Sequence, residues 1–458
     1  MRQPAHYLRG LAASLLLAGA AACAAGPTKA SPSPAAVAPE ATAAPAPADK
    51  TFDALEASAS GKRFTQAGLA ALDTAMAAAV DDGAVKGIST LLVKDGHVAH
   101  YYEHGVRRAS DQAPIKEDTI FRIYSMSKPI TGVALMTLYE QGAFSLDDPV
   151  TKFVPEFADL KVMKGVDADG QMILEATDHV PTMRELMSHT AGFGYGLGGD
   201  DPVNKAFRDQ GVLASPDLDT YISKVAGIPL LFQPGSNWSY STAVDIQGYI
   251  VQKISGQSFG SYLQEKIFTP LGMTDTAFFV PEAKRDRFSD VFTRNPETGD
   301  LVPLDDPRFA YREGAFGMEA GGHGLASTLA DYARFCQMLV DGGELNGTRI
   351  LKPETVELMR TNVLPDTFSL FSDGTTTNLN TAGHGFGLDF GVIVDPSATG
   401  TKMPAGSYYW GGAAGTWFWI DPVNDLVFIG MVQVFPGGSI DQALRRTSQA
   451  LVYEALEE

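Results

Sequence analysis

The segment that most constrains the fold is residues 123–130, which read IYSMSKPI. Apolar residues recur at helical spacing after this segment, and Gly142 offers a natural end for a helix. Pro129 is tolerated only in the first turn of a helix, where backbone N–H groups have no partner within the helix. The pattern therefore predicts a helix that begins close to Ser125 and carries Lys128 one turn further along the same face.

The pair Ser125 and Lys128 suits nucleophilic catalysis. A serine hydroxyl is a weak nucleophile at neutral pH and needs an adjacent base, and a lysine in a poorly solvated site has a lowered pKa that lets it serve as one. The positive end of the helix dipole also favours the negative charge that develops at Ser125. Ser-x-x-Lys occurs once in this chain. Alone it is a weak pattern, because a surface serine near an unrelated lysine also produces it.

The first residues predict an exported protein. Arg2 and Arg9 precede an apolar run, 11–22, that is too short to span a bilayer and fits the core of a signal peptide over residues 1–22. The run ends Ala-Ala-Ala-Cys at Cys23, which resembles the cleavage box of bacterial lipoproteins, in which the cysteine is lipidated. Simple cleavage at an Ala-x-Ala site is the alternative. We expect a periplasmic protein whose only membrane attachment is a lipid anchor.

A tether and one long domain follow. Residues 23–63 are rich in Ala and Pro, which cannot bury a core, and they are predicted to form a disordered linker. Residues 64–458 contain no second linker or repeat, so one domain is expected there. The only other cysteine besides Cys23 is Cys336, so no disulfide within the domain is expected. Cys336 lies in an amphipathic stretch and is interpreted as a core thiol.

Charge and composition narrow the partners. The chain has 35 basic and 54 acidic residues, a net charge of −19, which argues against nucleic acid or anionic lipid as a ligand. The eight histidines are scattered and form no zinc motif, so neither a metal nor another cofactor is expected. The expected partner is a small-molecule ester or amide substrate.

Strand signals lie at both ends of the domain, and helical signals lie between them, which favours an α+β fold. A helix over 66–80 and a hairpin over 87–103, turning at Asp95-Gly96, are predicted first. The section to about residue 339 is predicted to be mostly helical. The domain is predicted to close with strands over 408–410, 416–420 and 426–432 and a helix over 440–456. Both ends would complete one antiparallel sheet, with Ser125 in the crevice beside the inserted helices.

Three further segments resemble blocks of one family. They are LMSHTAG (186–192), QPGSNWSYST (233–242) and YYWGGAAGT (408–416). Together with Ser125 and Lys128 they resemble the serine β-lactamase and penicillin-binding-protein superfamily, class C branch, and most of all its family VIII carboxylesterases, because the third block reads Trp-Gly-Gly. The resemblance covers the chain from about residue 70 on. It implies a β-lactamase/transpeptidase-like fold, an antiparallel sheet flanked by helices with an inserted, mostly helical region.

The resemblance also implies roles for individual residues. Ser125 would be the acylated nucleophile, and Lys128 and Tyr240 would share the general-base and general-acid work. The backbone N–H groups of Ser125 and Ala413 would form the oxyanion hole. A phenol serves as a base only if a cation depresses its pKa, and Lys128 beside Tyr240 would do so.

Departures from the β-lactamase pattern bear on the substrate. Of the implied substrate-binding residues Trp410, Gly411, Gly412 and Thr242, Trp410 stands where a lysine usually pairs with a substrate carboxylate, and Thr242 stands where an asparagine is usual. Losing the cation removes a charge-assisted contact of roughly 1.5–3 kcal/mol. Both changes favour neutral short- to medium-chain esters. The alternatives are a β-lactamase or D-alanyl-D-alanine carboxypeptidase, and a non-catalytic binding lipoprotein.

Other polar residues are alternative candidates for a functional role. Ser258 lies in a Gly-x-Ser-x-Gly pattern, but that motif works only on a strand-to-helix turn, and both flanks here are helical by pattern. His189 is interpreted as a structural, hydrogen-bonding histidine at a turn. His323, in a glycine-rich loop, receives no role. Residues 369–383 are predicted to be a mobile loop, and whether it covers the cleft is left open.

Overall fold

The computed structural model describes residues 63–197, 199–306, 310–312, 317–365, 370–371 and 382–457. Its helices are α1 (Gln66–Asp81), α2 (Ser127–Glu140), α3 (Met183–Met187), α4 (Pro202–Asp209), α5 (Leu218–Ala226), α6 (Ala243–Ser255), α7 (Phe259–Leu263), α8 (Thr269–Leu271), α9 (Leu329–Val340), α10 (Pro353–Arg360), α11 (Pro396–Thr399) and α12 (Gly438–Ala455). Its strands are β1 (Gly87–Lys94), β2 (His97–Gly105), β3 (Phe121–Arg122), β4 (Lys161–Val166), β5 (Met172–Ala176), β6 (Trp238–Ser239), β7 (Phe292–Arg294), β8 (Leu301–Pro303), β9 (Ala326–Ser327), β10 (Glu344–Leu345), β11 (Thr348–Arg349), β12 (Leu370–Phe371), β13 (His384–Phe386), β14 (Gly391–Ile393), β15 (Tyr408–Gly411), β16 (Trp417–Asp421) and β17 (Leu426–Met431).

The largest sheet joins the two ends of the domain. In the described part of the chain it is antiparallel and runs β13-β14-β15-β16-β17-β1-β2. Strand β1 pairs with β17, with Ser89 opposite Met431. The apolar strands β16 and β17 are buried along their whole length, since both faces of the sheet are covered. Asp95 and Gly96 turn the chain from β1 to β2 at φ values of 53° and 74°, the conformation that Asp-Gly favours.

Helices pack on the sheet and on each other. Helix α1 packs against α12, α9 against β17 and β1, and α2 against α6. Residues 127–138 of α2 are all buried, so this helix has almost no solvent face and runs through the middle of the core. Most buried apolar residues belong to one cluster that spans the sheet and the inserted helices. The start of α2 therefore lies where sheet and inserted region meet.

The predicted fold class is confirmed, and the elements that were predicted at the two ends of the domain lie within two residues of their predicted bounds. The middle section was predicted less well. It contains the hairpin β4–β5 among its helices, and residues 150–157 form two separate 3₁₀ turns, Val150–Lys152 and Pro155–Phe157, in place of a continuous helix. Pro155 opens the second turn and has no N–H to continue a helix from the first. Strands β13 and β14 were not predicted, because each has only three residues.

Some predictions fall outside the described residues. The signal peptide over 1–22, Cys23 and nearly all of the linker over 23–63 lie there, as does most of the loop predicted over 369–383. Across the portion the structure describes, no helix combines the length and apolar character needed to cross a bilayer.

Candidate active site

Ser125 lies in a single 3₁₀ turn, Tyr124–Met126, that leads directly into α2. The residue before it, Tyr124, has a φ of 43°, a left-handed conformation that costs energy in a bulky residue and persists only where packing holds it. The Tyr332 hydroxyl fixes the other end of the turn by donating to the Met126 carbonyl at 2.9 Å. Ser125 itself is half-buried, so a rigid turn presents its hydroxyl. The helix predicted after Ser125 is confirmed, with Pro129 in its first turn.

Lys128 points back towards this serine from the first turn of α2. Its Nζ lies 3.2 Å from Ser125 Oγ, and it also donates to the Tyr195 hydroxyl at 3.3 Å and to the Gly322 carbonyl at 2.8 Å. The side chain is fully enclosed, with 1% of its surface exposed. An amine in this position is held by three acceptors in a fixed orientation.

Burial lowers the pKa of Lys128 to about 7, and the nearby carboxylates of Asp245 and Asp389 oppose this shift. Burial disfavours the charged ammonium because the low-dielectric interior solvates it poorly. A substantial fraction of Lys128 is therefore the neutral amine near pH 7, and a neutral amine can accept the serine proton. This direction agrees with the lowered pKa expected of a lysine in a poorly solvated site.

Tyr240 completes the group around Ser125. Its hydroxyl donates to Ser125 Oγ at 2.8 Å, and Lys128 Nζ lies 4.5 Å from the centre of its ring. Tyr240 follows β6 and precedes α6, and it is only 4% exposed. Three further aromatic rings and one imidazole have centres 5.2–6.4 Å from its own: Tyr195, Trp238, Trp410 and His189. Phe386 packs in turn against Trp410 at 5.4 Å. The phenol is thus held by ring packing on several sides.

The loop after β15 lies against the turn that carries Ser125. A Cβ added at Gly412 would come within 2.4 Å of the Ile123 carbonyl oxygen, so only glycine permits this approach. A Cβ at Gly411 would meet the Arg445 guanidinium of α12 at 2.2 Å. This close contact brings Ala413, which is half-buried, to the same end of α2 as Ser125. The two residues expected to form an oxyanion hole therefore lie on neighbouring backbone segments.

Trp410 and Thr242 are buried rather than open to the crevice. Trp410 is 2% exposed and its ring packs 5.6 Å from that of Tyr240, so it supports the tyrosine from the side. Thr242 has no exposed surface, and its hydroxyl has no hydrogen-bond partner among the described residues. In this conformation both residues influence the site indirectly, through the ring and the backbone of Tyr240.

The structure agrees with the sequence-based interpretation of three other residues. His189 is buried at a φ of 58°, and its Nδ1 meets the Ser241 hydroxyl at 2.9 Å. Burial lowers the pKa of His189 well below its usual value, so it stays neutral and structural. Ser258 caps the N-terminus of α7 in a loop between two helices, which is no nucleophile elbow. Cys336 is fully buried, and burial raises the pKa of its thiol.

Several residues around Lys128 were missed. Tyr195 and the Gly322 carbonyl touch its amine, yet both lie in glycine-rich loops with no spacing signal. Asp245 could have been found, because it is the one acidic residue on an otherwise apolar first turn of α6. A charged side chain at a core-facing helical position needs a partner, and that is a readable signal.

Fold and site together define a class: serine hydrolases built on the β-lactamase-like fold, with a lysine and a tyrosine beside the serine. The chain belongs to the Beta-lactamase family, whose family model matches residues 72–452. The Mycobacterium tuberculosis Protein Rv1367c is 32% identical over 367 residues, which cover 79% of this chain and 89% of that protein. Esterase EstB of Burkholderia gladioli is 30% identical over 369 residues, 76% of this chain and 86% of EstB.

A solved structure supports the same fold. The structure described as "EstCE1, a hydrolase with promiscuous acyltransferase activity" matches with a TM-score of 0.70, covering 84% of this chain and 99% of EstCE1. The two sequences are 24% identical, so this likeness speaks for the fold alone. Family membership and the esterase among its relatives make the chain a serine hydrolase.

Proposed function

We propose that this serine hydrolase cleaves short- to medium-chain carboxylic esters through an acyl-enzyme intermediate on Ser125. The observation that carries the proposal is the convergence of two proton-transfer groups on one oxygen. Tyr240 hydroxyl and Lys128 Nζ lie 2.8 Å and 3.2 Å from Ser125 Oγ. Because Lys128 has a pKa of about 7, it can take up and return a proton near neutral pH.

Acylation would proceed in one proton cycle. Ser125 Oγ attacks the carbonyl carbon of the ester, and its proton passes to the neutral amine of Lys128. The carbonyl oxygen becomes an oxyanion, which the backbone N–H groups of Ser125 and Ala413 would stabilise. As the carbon–oxygen bond to the alcohol breaks, Tyr240 relays the proton to the departing alkoxide. Water then attacks the acyl-enzyme with the same groups as base and acid, releasing the carboxylic acid and restoring the Ser125 hydroxyl.

The third block, residues 408–416, supports this substrate class. Family members that cleave β-lactams or peptides carry a lysine where this chain has Trp410, and the indole is packed among rings instead of reaching for a carboxylate. A neutral ester needs no such partner, whereas an anionic β-lactam loses a charge-assisted contact. The name of the relative EstB, an esterase, supports the same choice.

Export is a second part of the proposal. The apolar run over 11–22 and Cys23 support a signal peptide followed by a lipid-anchored, periplasmic domain. Replacing Cys23 by serine should move the protein from the membrane fraction to the soluble periplasmic fraction without changing ester turnover. An unchanged distribution would remove the anchor from the proposal and leave the hydrolase.

Turnover of a short p-nitrophenyl ester and of a chromogenic cephalosporin tests the function, in the wild type and in Ser125→Ala. We expect ester turnover that Ser125→Ala abolishes, with little cephalosporin cleavage. Strong cephalosporin turnover would instead make the protein a β-lactamase. Ester turnover that survives in Ser125→Ala would refute the nucleophile. If neither compound is cleaved, labelling of Ser125 by a serine-directed phosphonate separates a D-alanyl-D-alanine carboxypeptidase, which is labelled, from a binding lipoprotein, which is not.

A further inference from the structure

Asp245 is a buried carboxylate in the first turn of α6, five residues after Tyr240, and none of its surface is exposed. Its Oδ1 accepts the backbone N–H of Gly322 at 2.9 Å, and its Oδ2 accepts the Tyr221 hydroxyl at 3.5 Å. A buried carboxylate is costly unless such donors or a nearby cation compensate it. The compensation of the buried Asp245 carboxylate therefore depends on Gly322 and on the group that contacts the Gly322 carbonyl.

Gly322 connects Asp245 to Lys128. While its N–H donates to the carboxylate, its carbonyl accepts a hydrogen bond from Lys128 Nζ at 2.8 Å. This is the shortest contact of the amine, shorter than those to Ser125 and Tyr195. A Cβ at Gly322 would lie 2.8 Å from Asp245 Oδ2, so a larger residue would push carboxylate and loop apart.

We propose that Asp245 is a positioning residue for Lys128: it holds the Gly322 carbonyl against the amine, and its negative charge favours the protonated form of that amine. The inference rests on the proposed function only for its kinetic consequence. Geometry carries it, since the carboxylate, Gly322 and the amine form a continuous hydrogen-bonded path within the core. The negative charge of Asp245 counteracts the effect of burial on the pKa of Lys128.

Other groups face the amine from every side. Tyr195 presents its hydroxyl and Tyr240 its ring, and His189 is uncharged because burial and Lys128 lower its pKa. His323 Nδ1 lies 3.7 Å from Asp245 Oδ1; burial lowers the pKa of His323, Asp245 opposes that shift, and Lys128 adds to it. Asp389 also bears on Lys128, but burial raises its pKa well above the usual value, and its Oδ1 is occupied by the Gln247 amide at 3.0 Å.

The test measures the Lys128 titration directly. In protein labelled with [ε-13C]lysine, the Lys128 resonance is assigned by its loss in Lys128→Met and followed against pH. Asp245→Asn keeps the size and an acceptor oxygen but removes the charge, so the midpoint should fall by about one pH unit. The acidic limb of the kcat/KM profile for ester hydrolysis should move down by the same amount. Asp331→Asn, which removes another buried carboxylate, 2% exposed in α9, should move neither.

A second variant separates geometry from charge. Gly322→Ala keeps both charges but forces the loop away from Asp245, and it should lower kcat more than it raises KM. It also keeps the inference testable if Asp245→Asn does not fold. An unchanged midpoint in Asp245→Asn, or a Gly322→Ala enzyme with wild-type kcat, would overturn the inference. Absence of ester turnover in the wild type would refute the proposed function instead, and the titration would still decide the role of Asp245.

Discussion

The two partners of Ser125 are held in place by different forces. Tyr240 lies on what we call the aromatic side, formed by His189, Trp238, Phe386 and Trp410. Lys128 lies on the polar side, formed by Tyr195, Asp245 and Gly322. Ring packing fixes the orientation of the phenol, whereas buried carbonyls and carboxylates set both the position and the charge of an amine. Damage to the first side should cost stability, and damage to the second should cost activity.

Lys128→Met should give the largest loss of activity. Removal of the base should lower kcat/KM about 10⁴-fold, the upper end for a positioned general base. The free energy of unfolding should stay equal or rise, because an apolar side chain of similar length replaces a buried amine. Ester kinetics and chemical denaturation measure the two effects. Lys152→Met is the control, since this exposed lysine in an ion pair with Asp148 should affect neither.

The stability of Lys128→Met relative to the wild type should also depend on pH. The pKa of Lys128 is about 7 in the folded protein and near its ordinary value of 10.5 in the unfolded chain. Between these two values the unfolded state binds the extra proton, so the stability of the wild type should rise with pH from about 7 to about 10. Below pH 7 both states are protonated and this contribution is flat. The free energy of unfolding of Lys128→Met should therefore exceed that of the wild type by the largest amount at or below pH 7. A difference between the two proteins that does not narrow towards pH 10 would contradict the cost assigned to burying Lys128.

Trp410→Ala tests the aromatic side. The residue is 2% exposed and packs against Tyr240 and Phe386, so its truncation should lower the free energy of unfolding by about 3–5 kcal/mol. Denaturant unfolding measures this loss. Val423→Ala, at a position that is 67% exposed, should stay within about 0.5 kcal/mol of the wild type. A Trp410→Ala protein of normal stability with altered ester selectivity would mean that the indole contacts substrate directly.

Tyr240→Phe sharpens the comparison, because it keeps the ring and removes only the hydroxyl. We expect kcat/KM to fall about 10²–10³-fold, since the contact at 2.8 Å to Ser125 Oγ is lost. Stability should change little, because the ring contacts on the aromatic side remain. Steady-state kinetics beside a thermal melt distinguish the two quantities. A large drop in melting temperature with a modest loss of activity would mean that the Tyr240 hydroxyl supports the fold and does not transfer the proton.

The sequence predicted the aromatic side and the nucleophile better than the polar side. Ser125 and Lys128 are three residues apart where the 3₁₀ turn leads into α2, so helical spacing alone placed them together, and the block around Tyr240 gave its family position. Strands β16 and β17 were predicted because they read as unbroken apolar runs. Local patterns of this kind are dictated by the residues themselves.

Contacts between distant loops could not be predicted in the same way. The Gly322 carbonyl lies 194 residues from Lys128 and contributes only backbone, so no side chain marks it. The burial of Trp410 was also not predicted: the resemblance implied a substrate-binding residue, but the neighbouring rings of Tyr240 and Phe386 cover the indole. Such contacts depend on how the inserted helices meet the sheet, which spacing along the chain does not encode.

Tyr195→Phe, on the polar side, should give the smallest loss of activity among these variants. It removes one of three acceptors of the Lys128 amine, a hydrogen bond at 3.3 Å, for which about 0.5–1.5 kcal/mol is expected. This corresponds to a fall in kcat/KM of about two- to tenfold. Since the lost acceptor favours the ammonium, the acidic limb of the pH profile should move slightly to lower pH.

Tyr262→Phe, which removes a buried hydroxyl bonded to Thr137 at 2.7 Å, should leave the profile unchanged. A loss beyond a hundredfold in Tyr195→Phe would instead place its hydroxyl among the groups that transfer the proton, because a supporting hydrogen bond cannot account for an effect of that size.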